Sequence, residues 1–277
     1  DQFLPKGATI VETRGRTRDS AQAFTADGSH AALDLPVIVL VNSGTASAAE
    51  ILSGAIQDHD VGLVVGTPTW GKGLVQTVFT VRDTGLALTT ARYYTPAGRS
   101  IQRDYDSFID YVTHRNGATE EPSNTFETAA GRTVLGGGGI APDVEVIGRP
   151  FSEELVLLYG DTAFFRFAVL LLQEVPEDEQ AEYGARFAAD EAVLDRFLDW
   201  VVSEEILGAD EVAVLRADPQ GIDDVTSGLR IEVLNATQGL EAGYREAVES
   251  DDQIQSALGL LPDAQDMWQV WQERFGN

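Results

Sequence analysis

The first half of the chain consists of short apolar runs separated by polar segments that contain glycine. Val37–Val41 is a continuous β-branched and aliphatic run, which predicts a strand buried on both faces. The run stops at residues 42–44, a turn signal, and helical periodicity follows. The apolar stripe of that helix comprises Ala48, Ile51, Leu52, Ala55 and Ile56. The pattern therefore predicts a buried strand that turns into an amphipathic helix, as in α/β folds.

Further strands are predicted from other apolar runs of this half. They cover residues 8–14, 63–65, 74–81, 85–94 and 144–147. The alternating segment 85–94 is expected near a cleft, with an edge to which an extended peptide could add as a strand. Residues 15–34 and 105–133 are polar and predict loops, the second a long surface excursion. Residues 136–139 are too rich in glycine for a regular element.

The spacing of apolar residues along the sequence changes near Phe151. Leucine, valine and phenylalanine then recur at helical spacing over residues 155–172, 181–207, 222–261 and 264–275. The aromatic residues of this half are predicted to pack in a core. We therefore predict an α/β core over residues 1–150, followed by an all-α extension over residues 151–277.

Ser47 is expected where the buried strand turns into the helix, a position that suits a nucleophile. The first turn of a helix offers free backbone N–H groups and the positive end of the helix dipole. The N–H of Ala48 could there stabilise an oxyanion that forms next to the Ser47 hydroxyl. Serine is also a favoured N-cap residue, so Ser47 alone indicates no more than a helix start.

Lys72 is the candidate base, because no histidine has a persuasive spacing from Ser47. The glycines on both sides of Lys72 let a backbone approach closely. Gln76 follows four residues later, on the same side of a strand or helical turn. Considered alone, Lys72 could also be a solvated lysine in a turn. Gln76 alone could be an outward-facing residue of a strand. His59 follows the predicted helix, where a histidine favours the dipole, and we interpret it as structural.

These residues stand in segments that resemble the carboxyl-terminal processing peptidases, also called tail-specific proteases. The family pattern Asn-x-Gly-(Ser/Thr)-Ala-Ser-Ala-(Ser/Ala)-Glu-Ile reads here as residues 42–51. A second pattern, Gly-x-x-Thr-(Phe/Tyr/Trp)-Gly-Lys-Gly-x-x-Gln, reads as residues 66–76. The resemblance continues through residues 86–102 and 136–144, in the family's order.

The resemblance implies a serine endopeptidase with a crotonase/ClpP-like core, of which this chain would carry the C-terminal portion. It implies Ser47 as nucleophile, Lys72 as general base and Gln76 as the amide that orients the base, without metal or cofactor. Substrates would be protein or peptide C-termini, and the location the cell envelope or periplasm. In the family, a PDZ domain and a glycine-bearing oxyanion loop precede this part of the core. We therefore expect a fragment, with activity belonging to the longer protein.

A lysine acts as a general base only when its amine is neutral, and burial away from carboxylates favours the neutral form. We therefore predict that Lys72 is largely buried, with no aspartate or glutamate in contact. The implied reaction is acyl transfer from a peptide to Ser47 and then to water.

Negative charge is concentrated in the second half. The formal net charge is −26, with 12 Lys+Arg against 17 Asp+Glu in residues 1–150 and 7 against 28 in residues 151–277. This acidity argues against nucleic acid or an anionic membrane surface as a partner. It fits either a strongly solvated, salt-adapted surface or a docking face for a basic partner.

The sequence has no cysteine, which excludes disulfides and thiolate metal sites, and no apolar run approaches the ~20 residues that cross a bilayer.

Three functions stay open. The first is the Ser-Lys endopeptidase. The second is a non-catalytic assembly or partner-binding module that uses the acidic helical region, including a homo-oligomer. The third is another crotonase-like enzyme, such as an acyl-CoA processing enzyme, and the joint presence of Ser47, Lys72 and Gln76 favours the first.

Overall fold

The computed structural model describes residues 2–29, 35–105, 109, 124–148 and 150–275. The chain forms two compact units. Unit 1 comprises Asp1–Ile147 and Ser256–Asn277, and unit 2 comprises Gly148–Gln255. The helical region therefore begins near its expected start. Its last part, residues 256–277, differs from our division because it belongs to the same compact unit as the strands.

The described part of unit 1 contains mixed α/β structure. Its strands are β1 (Thr9–Gly15), β2 (Gln22–Thr25), β3 (Val37–Val41), β4 (Gly62–Gly66), β5 (Leu74–Val81), β6 (Thr84–Tyr94), β7 (Asn124–Glu127), β8 (Thr133–Gly136) and β9 (Val144–Glu145). One antiparallel sheet has the order β2-β1-β6-β5, and a parallel sheet has the order β3-β4-β9. Strands β7 and β8 form a separate antiparallel pair.

The strand and helix around Ser47 form where the sequence predicts them. Strand β3 lies parallel to β4, and the helix α1 (Ala48–Asp58) connects them. The expectation that β3 is buried on both faces is wrong, because Leu40 is 39% exposed and Val41 alone in the strand is fully buried.

The buried face of α1 also differs from the predicted stripe. Ala55 and Ile56 are buried as expected, but Leu52 is exposed. The inward face carries polar residues instead, namely Glu50, Ser53, Gln57 and Asp58. Apolar periodicity could not reveal this face, because most partners of Glu50, Gln57 and Asp58 lie far away in the sequence.

Strand β6 offers the edge that we predicted for residues 85–94 over only part of its length. It pairs with β5 along Thr84–Arg92 and with β1 over Ala91–Tyr94, so among the described strands its β1 side is unpaired before Ala91. The outer strand on this side of the described sheet is β5, which follows Lys72 directly.

The predicted loop 105–133 lies partly outside the described residues. Within its described part, β7 pairs with β8, with Phe126 opposite Val134. A strand therefore replaces the end of the expected loop. The glycine run is also partly regular, because Gly136 is the last residue of β8.

Two C-terminal helices complete unit 1. They are α9 (Asp252–Gly259), of which residues 256–259 belong to this unit, and α10 (Leu261–Phe275). Helix α10 packs against β3 and β4. Its Trp271 is buried with Leu4, Ala55 and Val61, and its Ala264 packs with Val65 of β4. The end of the chain thus covers the sheet that leads to Ser47.

Unit 2 is helical throughout its described part. Its helices are α2 (Glu153–Gly160), α3 (Ala163–Gln173), α4 (Gln180–Arg186), α5 (Glu191–Ser203), α6 (Ala209–Ala217), α7 (Pro219–Gln238) and α8 (Leu240–Ser250). As predicted, aromatic residues fill its core: the Phe197 ring lies 5.4 Å from that of Phe164 and 5.2 Å from that of Phe167. Taken singly, none of the described helices has the length and apolar composition of a membrane span, and α2 with α3 reaches that threshold only as a pair bent by 60°.

Candidate active site

Ser47 occupies a strained turn between β3 and α1. It is the N-cap of α1, with φ 57° and ψ −117°. A non-glycine residue with positive φ is uncommon, and such strain persists mainly where the surrounding structure imposes it, often at functional sites. The preceding turn is held by Asn42, whose carbonyl accepts the Thr45 N–H at 2.9 Å and whose side chain accepts the Gly44 N–H at 2.9 Å.

The first turn of α1 provides a free donor next to Ser47. The Glu50 N–H donates to the Ser47 carbonyl at 3.0 Å, and the Ala49 N–H donates to the Ala46 carbonyl at 3.2 Å. Among the hydrogen bonds of the described residues, none takes up the Ala48 N–H. That group keeps the donor capacity which an oxyanion requires.

The Glu50 carboxylate joins the serine turn to the lysine loop. Its Oε2 accepts the backbone N–H groups of Ser47 and Lys72, both at 2.8 Å. Its Oε1 accepts the Gly71 N–H at 2.7 Å and the Thr69 hydroxyl at 2.5 Å. We call Glu50 and these four donors the carboxylate clamp.

The carboxylate clamp fixes two distant parts of the chain in one place. The Ser47 and Lys72 backbone nitrogens are each 2.8 Å from the same oxygen, so they lie no farther apart than twice that distance. The loop is also tied by the Trp70 N–H, which donates to the Thr45 carbonyl at 2.9 Å. The structure therefore brings the backbones of the two main candidate residues together.

The Glu50 side chain is fully buried, and each donor of the clamp is a neutral group. Burying a carboxylate is costly unless hydrogen bonds replace its hydration, and four donors fulfil that requirement. Among the residues that the structure describes, no group of three or more metal-ligating side chains could hold a metal ion. The Glu50 carboxylate thus acts as a structural acceptor within this loop.

Thr69 links the carboxylate clamp to the glycine-rich segment. Its hydroxyl donates to Glu50 and accepts the Ile140 N–H at 2.7 Å, and its own N–H donates to the Ile140 carbonyl at 3.1 Å. A Cβ on Gly139 would lie 2.5 Å from the Thr69 hydroxyl oxygen. Gly139 and Ile140 thus pack directly on the clamp, which requires glycine at 139.

The Lys72 side chain contradicts our burial prediction. It is exposed, and a carboxylate does contact the residue, because Glu50 accepts its backbone N–H. The buried parts of this loop are the flanking glycines, as their close approach predicted: a Cβ on Gly71 would lie 2.6 Å from the Cβ of Arg103. The clamp draws in the backbone of the loop and leaves the lysine side chain in solvent.

Gln76 lies on β5 and is exposed. Among the described residues, no hydrogen bond or ion pair joins its amide or the Lys72 amine to Ser47. The structure therefore assembles the backbone of the candidate site and leaves the side chains of Ser47, Lys72 and Gln76 without mutual hydrogen bonds.

The other end of α1 is fixed by a buried ion pair. Arg99, which is 1% exposed, binds the Asp58 carboxylate, and the other oxygen of Asp58 accepts the Ala97 N–H at 2.9 Å. The ring Nε2 of His59 lies 2.7 Å from the Thr9 carbonyl oxygen of β1, consistent with a structural role. Both ends of the helix that begins at Ser47 are thus held by tertiary contacts.

A second ion-pair network supports β4 and the segment after the glycine run. Arg132 binds Asp60 at 2.6 Å and Asp143 at 2.5 Å, and Asp143 also accepts the Val64 N–H at 2.8 Å. Burial lowers the pKa of Arg132, but the charge of Asp143 and hydrogen bonds to both carboxylates outweigh it and raise that pKa above its usual value. The Arg132 guanidinium therefore stays charged and links Asp60 to Asp143.

Sequence reasoning missed Glu50 and Thr69 as organisers of this site. A local signal was present, because Ser47-Ala-Ala-Glu50 has the Ser-x-x-Glu spacing of a capping box. That pattern predicts the Glu50 bond to the Ser47 N–H, but not the three bonds to residues 69–72.

The first part of the chain matches a known family. Residues 1–107 match the model of Peptidase family S41. The carboxy-terminal-processing protease of Bartonella bacilliformis is 50% identical over 103 residues, which cover 37% of this chain and 24% of that protein. The carboxyl-terminal-processing protease of Synechocystis sp. is 48% identical over 102 residues, which cover 36% of this chain and 23% of that protein. The chloroplastic carboxyl-terminal-processing peptidase 2 of Arabidopsis thaliana is 50% identical over 105 residues, which cover 36% of this chain and 20% of that protein.

Among solved structures, a photosystem II D1 C-terminal processing protease is 32% identical and covers 53% of this chain and 29% of that one, with a TM-score of 0.37. The chain covers a quarter or less of the length of the three relatives described above. The matched segment contains Ser47, Ala48, Lys72 and Gln76. The predicted resemblance to carboxyl-terminal processing peptidases is confirmed, and it lies within the residues that match the model of Peptidase family S41.

Proposed function

We propose that this chain is the part of a serine endopeptidase that carries its nucleophile and general base, and that the enzyme cleaves proteins at or near their C-termini. The observation that carries the proposal is the carboxylate clamp, in which one Glu50 oxygen accepts the N–H groups of Ser47 and Lys72. The strained backbone of Ser47 and the free N–H of Ala48 support the same function.

In the proposed mechanism, neutral Lys72 accepts the hydroxyl proton of Ser47 while the serine oxygen attacks a peptide carbonyl. The Ala48 N–H stabilises the oxyanion, and the lysine ammonium then protonates the leaving amine. Water hydrolyses the resulting ester, with Lys72 again accepting a proton. Gln76 is the amide that orients the lysine amine.

The exposed Lys72 side chain must turn toward Ser47 for this chemistry. The clamp already holds both backbones, and we propose that rotation about the bonds of the flexible lysine stem brings the amine to the serine. A bound substrate that excludes water would favour the neutral amine. We therefore interpret this structure, with the Lys72 side chain in solvent, as the state of the site before substrate binds.

Two family properties complete the proposal. The parallel β3-β4-β9 sheet, with α1 between two of its strands, supports a crotonase/ClpP-like core. A location in the cell envelope or periplasm is proposed from the bacterial relatives.

Because β5 is the outer strand beside the lysine loop, we expect the extended substrate to add there. In the enzyme at its full natural length, a peptide aldehyde that binds Ser47 should slow hydrogen exchange at the β5 amides. Exchange at Ala91 and Arg92 of β6, which pair with β1 on one side and β5 on the other, should change little. Unchanged exchange in β5 on saturation with the aldehyde would rule out this substrate edge.

Fluorophosphonate labelling of the enzyme at its full natural length tests the nucleophile. We expect labelling to be lost in Ser47→Ala and in Lys72→Ala, because the hydroxyl reacts only when a base removes its proton. The control is Ser43→Ala, which removes an exposed serine from the same turn. Labelling that survives in Ser47→Ala, or that is lost equally in the control, contradicts the proposal.

A partner-binding module is the second candidate function. An exposed apolar stripe on one helix of unit 2 favours it. A folded protein of full natural length that no fluorophosphonate labels would leave this candidate ahead of the peptidase.

A further inference from the structure

Helix α8 carries a row of large apolar residues that the described part of the chain leaves uncovered. Leu240, Tyr244 and Val248 are 64%, 69% and 38% exposed. Their spacing of four residues places them on one face of the helix. Single exposed apolar residues are normal on protein surfaces, but an aligned row on one helix is the usual signature of a contact face.

The contact between α8 and α7 explains why this row stays outside. The buried residue of α8 is Gly243, and a Cβ on it would lie 2.0 Å from the side-chain oxygen of Asn235 in α7. The helices therefore approach through a glycine and not through the bulky residues of α8. The row Leu240–Tyr244–Val248, which we call the α8 stripe, remains available for another element.

The charge of unit 2 identifies the kind of element that fits. Residues 148–255 contain 25 Asp+Glu and 7 Arg, with no Lys, for a formal charge of −18. Each arginine that the structure describes in this unit is paired with a carboxylate: Arg166, Arg186, Arg196, Arg216, Arg230 and Arg245. The acidic excess is thus uncompensated from within the unit.

Acidic residues also flank the α8 stripe itself. Glu241 and Glu249 are exposed on α8, and the exposed Asp251 and Asp252 follow its end. The neighbouring cation Arg245 already binds Glu241 at 2.9 Å. An apolar row with such a border favours a partner that is apolar on one side and positively charged beside it.

We propose that the α8 stripe binds a lysine- or arginine-rich amphipathic helix of another protein. A second copy of this chain fits poorly, because it would bring another unit of charge −18 to the same surface. The partner helix places apolar residues against Leu240, Tyr244 and Val248 and its cations against the acidic border. This inference concerns unit 2 and does not depend on the peptidase chemistry of unit 1.

The test uses the whole chain and a fluorescent synthetic helix of about 18 residues, with leucine at every third or fourth position and lysine elsewhere. Anisotropy should show saturable binding that weakens with added salt. Changing Leu240, Tyr244 and Val248 together to Ser should weaken binding by about ten-fold or more, because the apolar contact is lost. These residues are exposed, so the fold should survive, which circular dichroism checks.

The control variant changes Val202 and Val214 to Ser, since both are exposed residues of the same unit on other helices. It should bind within about two-fold of the unmodified chain. Three outcomes overturn the proposal. The first is equal binding by the stripe variant, which indicates charge attraction alone. The second is equal binding of a helix with glutamate in place of lysine. The third is a homodimer, seen by sedimentation velocity, that the stripe variant abolishes.

Discussion

At the scale of single residues, the candidate site depends on a side chain that performs no chemistry in the proposed reaction. Glu50 sets the distance between the turn of Ser47 and the loop of Lys72, because both backbones share one of its oxygens. The two reacting residues therefore need not contact each other to be held in register. The geometry of the site is encoded in the backbone and survives rotation of the lysine side chain.

Replacing Glu50 with Gln tests this arrangement. An amide offers one acceptor oxygen, and in either orientation its NH2 group would face at least one backbone N–H, which loses its acceptor. We expect the free energy of unfolding to fall by about 2 to 4 kcal/mol. In the full-length protein, we also expect Ser47 to be labelled more slowly by fluorophosphonate.

The matched control is Glu12→Gln, since Glu12 lies on β1 and, among the described residues, its carboxylate pairs only with the exposed Arg14. Its unfolding free energy should change by about 0.5 kcal/mol or less. Urea denaturation measures both variants. A Glu50→Gln protein as stable and as reactive as the unmodified one would show that the clamp does not organise the site.

The sequence predicts which residues form the candidate site but not their environment. The motif spacing nominates Ser47 and Lys72 as reacting residues, and the close backbone approach at Gly71 was predicted from its lack of a side chain. The exposure of Lys72 was predicted wrongly, since it depends on which part of the loop Glu50 draws inward. That choice is made by donors twenty residues away from the acceptor along the chain.

At the scale of elements, local pattern predicted where strands form and not which strands become neighbours. Strand β5 begins and ends where the sequence predicts, at Leu74 and Val81. The order β2-β1-β6-β5 depends on pairing between segments far apart in sequence, which no single run encodes. The sequence therefore could not show that β6 pairs with β1 at Ala91–Tyr94, or that β5 has a free edge as well.

The docking of α10 on unit 1 gives the prediction at this scale. Changing Trp271 to Ala should lower the free energy of unfolding of unit 1 by about 3 to 5 kcal/mol, because a buried aromatic side chain is lost. Hydrogen exchange should accelerate in β3 and β4, against which α10 packs.

The control for this prediction is Val270→Ala, which changes an exposed neighbour on the same helix. Its effect should be about 0.5 kcal/mol or less. Unchanged exchange in β3 and β4 after the tryptophan is removed would mean that α10 does not support the sheet.

At the scale of the whole molecule, the two units carry very different charge densities. Unit 1 contains 12 Lys+Arg and 20 Asp+Glu, whereas unit 2 contains 7 and 25. The sequence revealed this asymmetry directly, because formal charge needs no structure. It could not reveal that the described arginines of unit 2 are already paired, which leaves the excess uncompensated.

Self-repulsion in unit 2 predicts that salt stabilises the chain. Raising sodium chloride from about 0.05 M to about 1 M shortens the Debye length to roughly 3 Å and should raise the melting temperature. Calorimetry measures the shift. A variant with Glu177→Lys and Glu179→Lys, in an exposed acidic turn, should melt higher in low salt and gain less from added salt. A melting temperature that is constant or falls with salt contradicts this prediction.

The return of α10 to unit 1 has a consequence for biosynthesis. Ala264 packs on Val65 of β4 and Trp271 on Val61 just before that strand, both of which are made about two hundred residues earlier. The ribosome must translate all of unit 2 before α10 can cover the apolar side of strands β3 and β4. Until then, unit 1 of the nascent chain is incompletely folded. Any product that terminates within the helices leaves the sheet uncovered, and quality-control proteases would meet it as an unfinished protein.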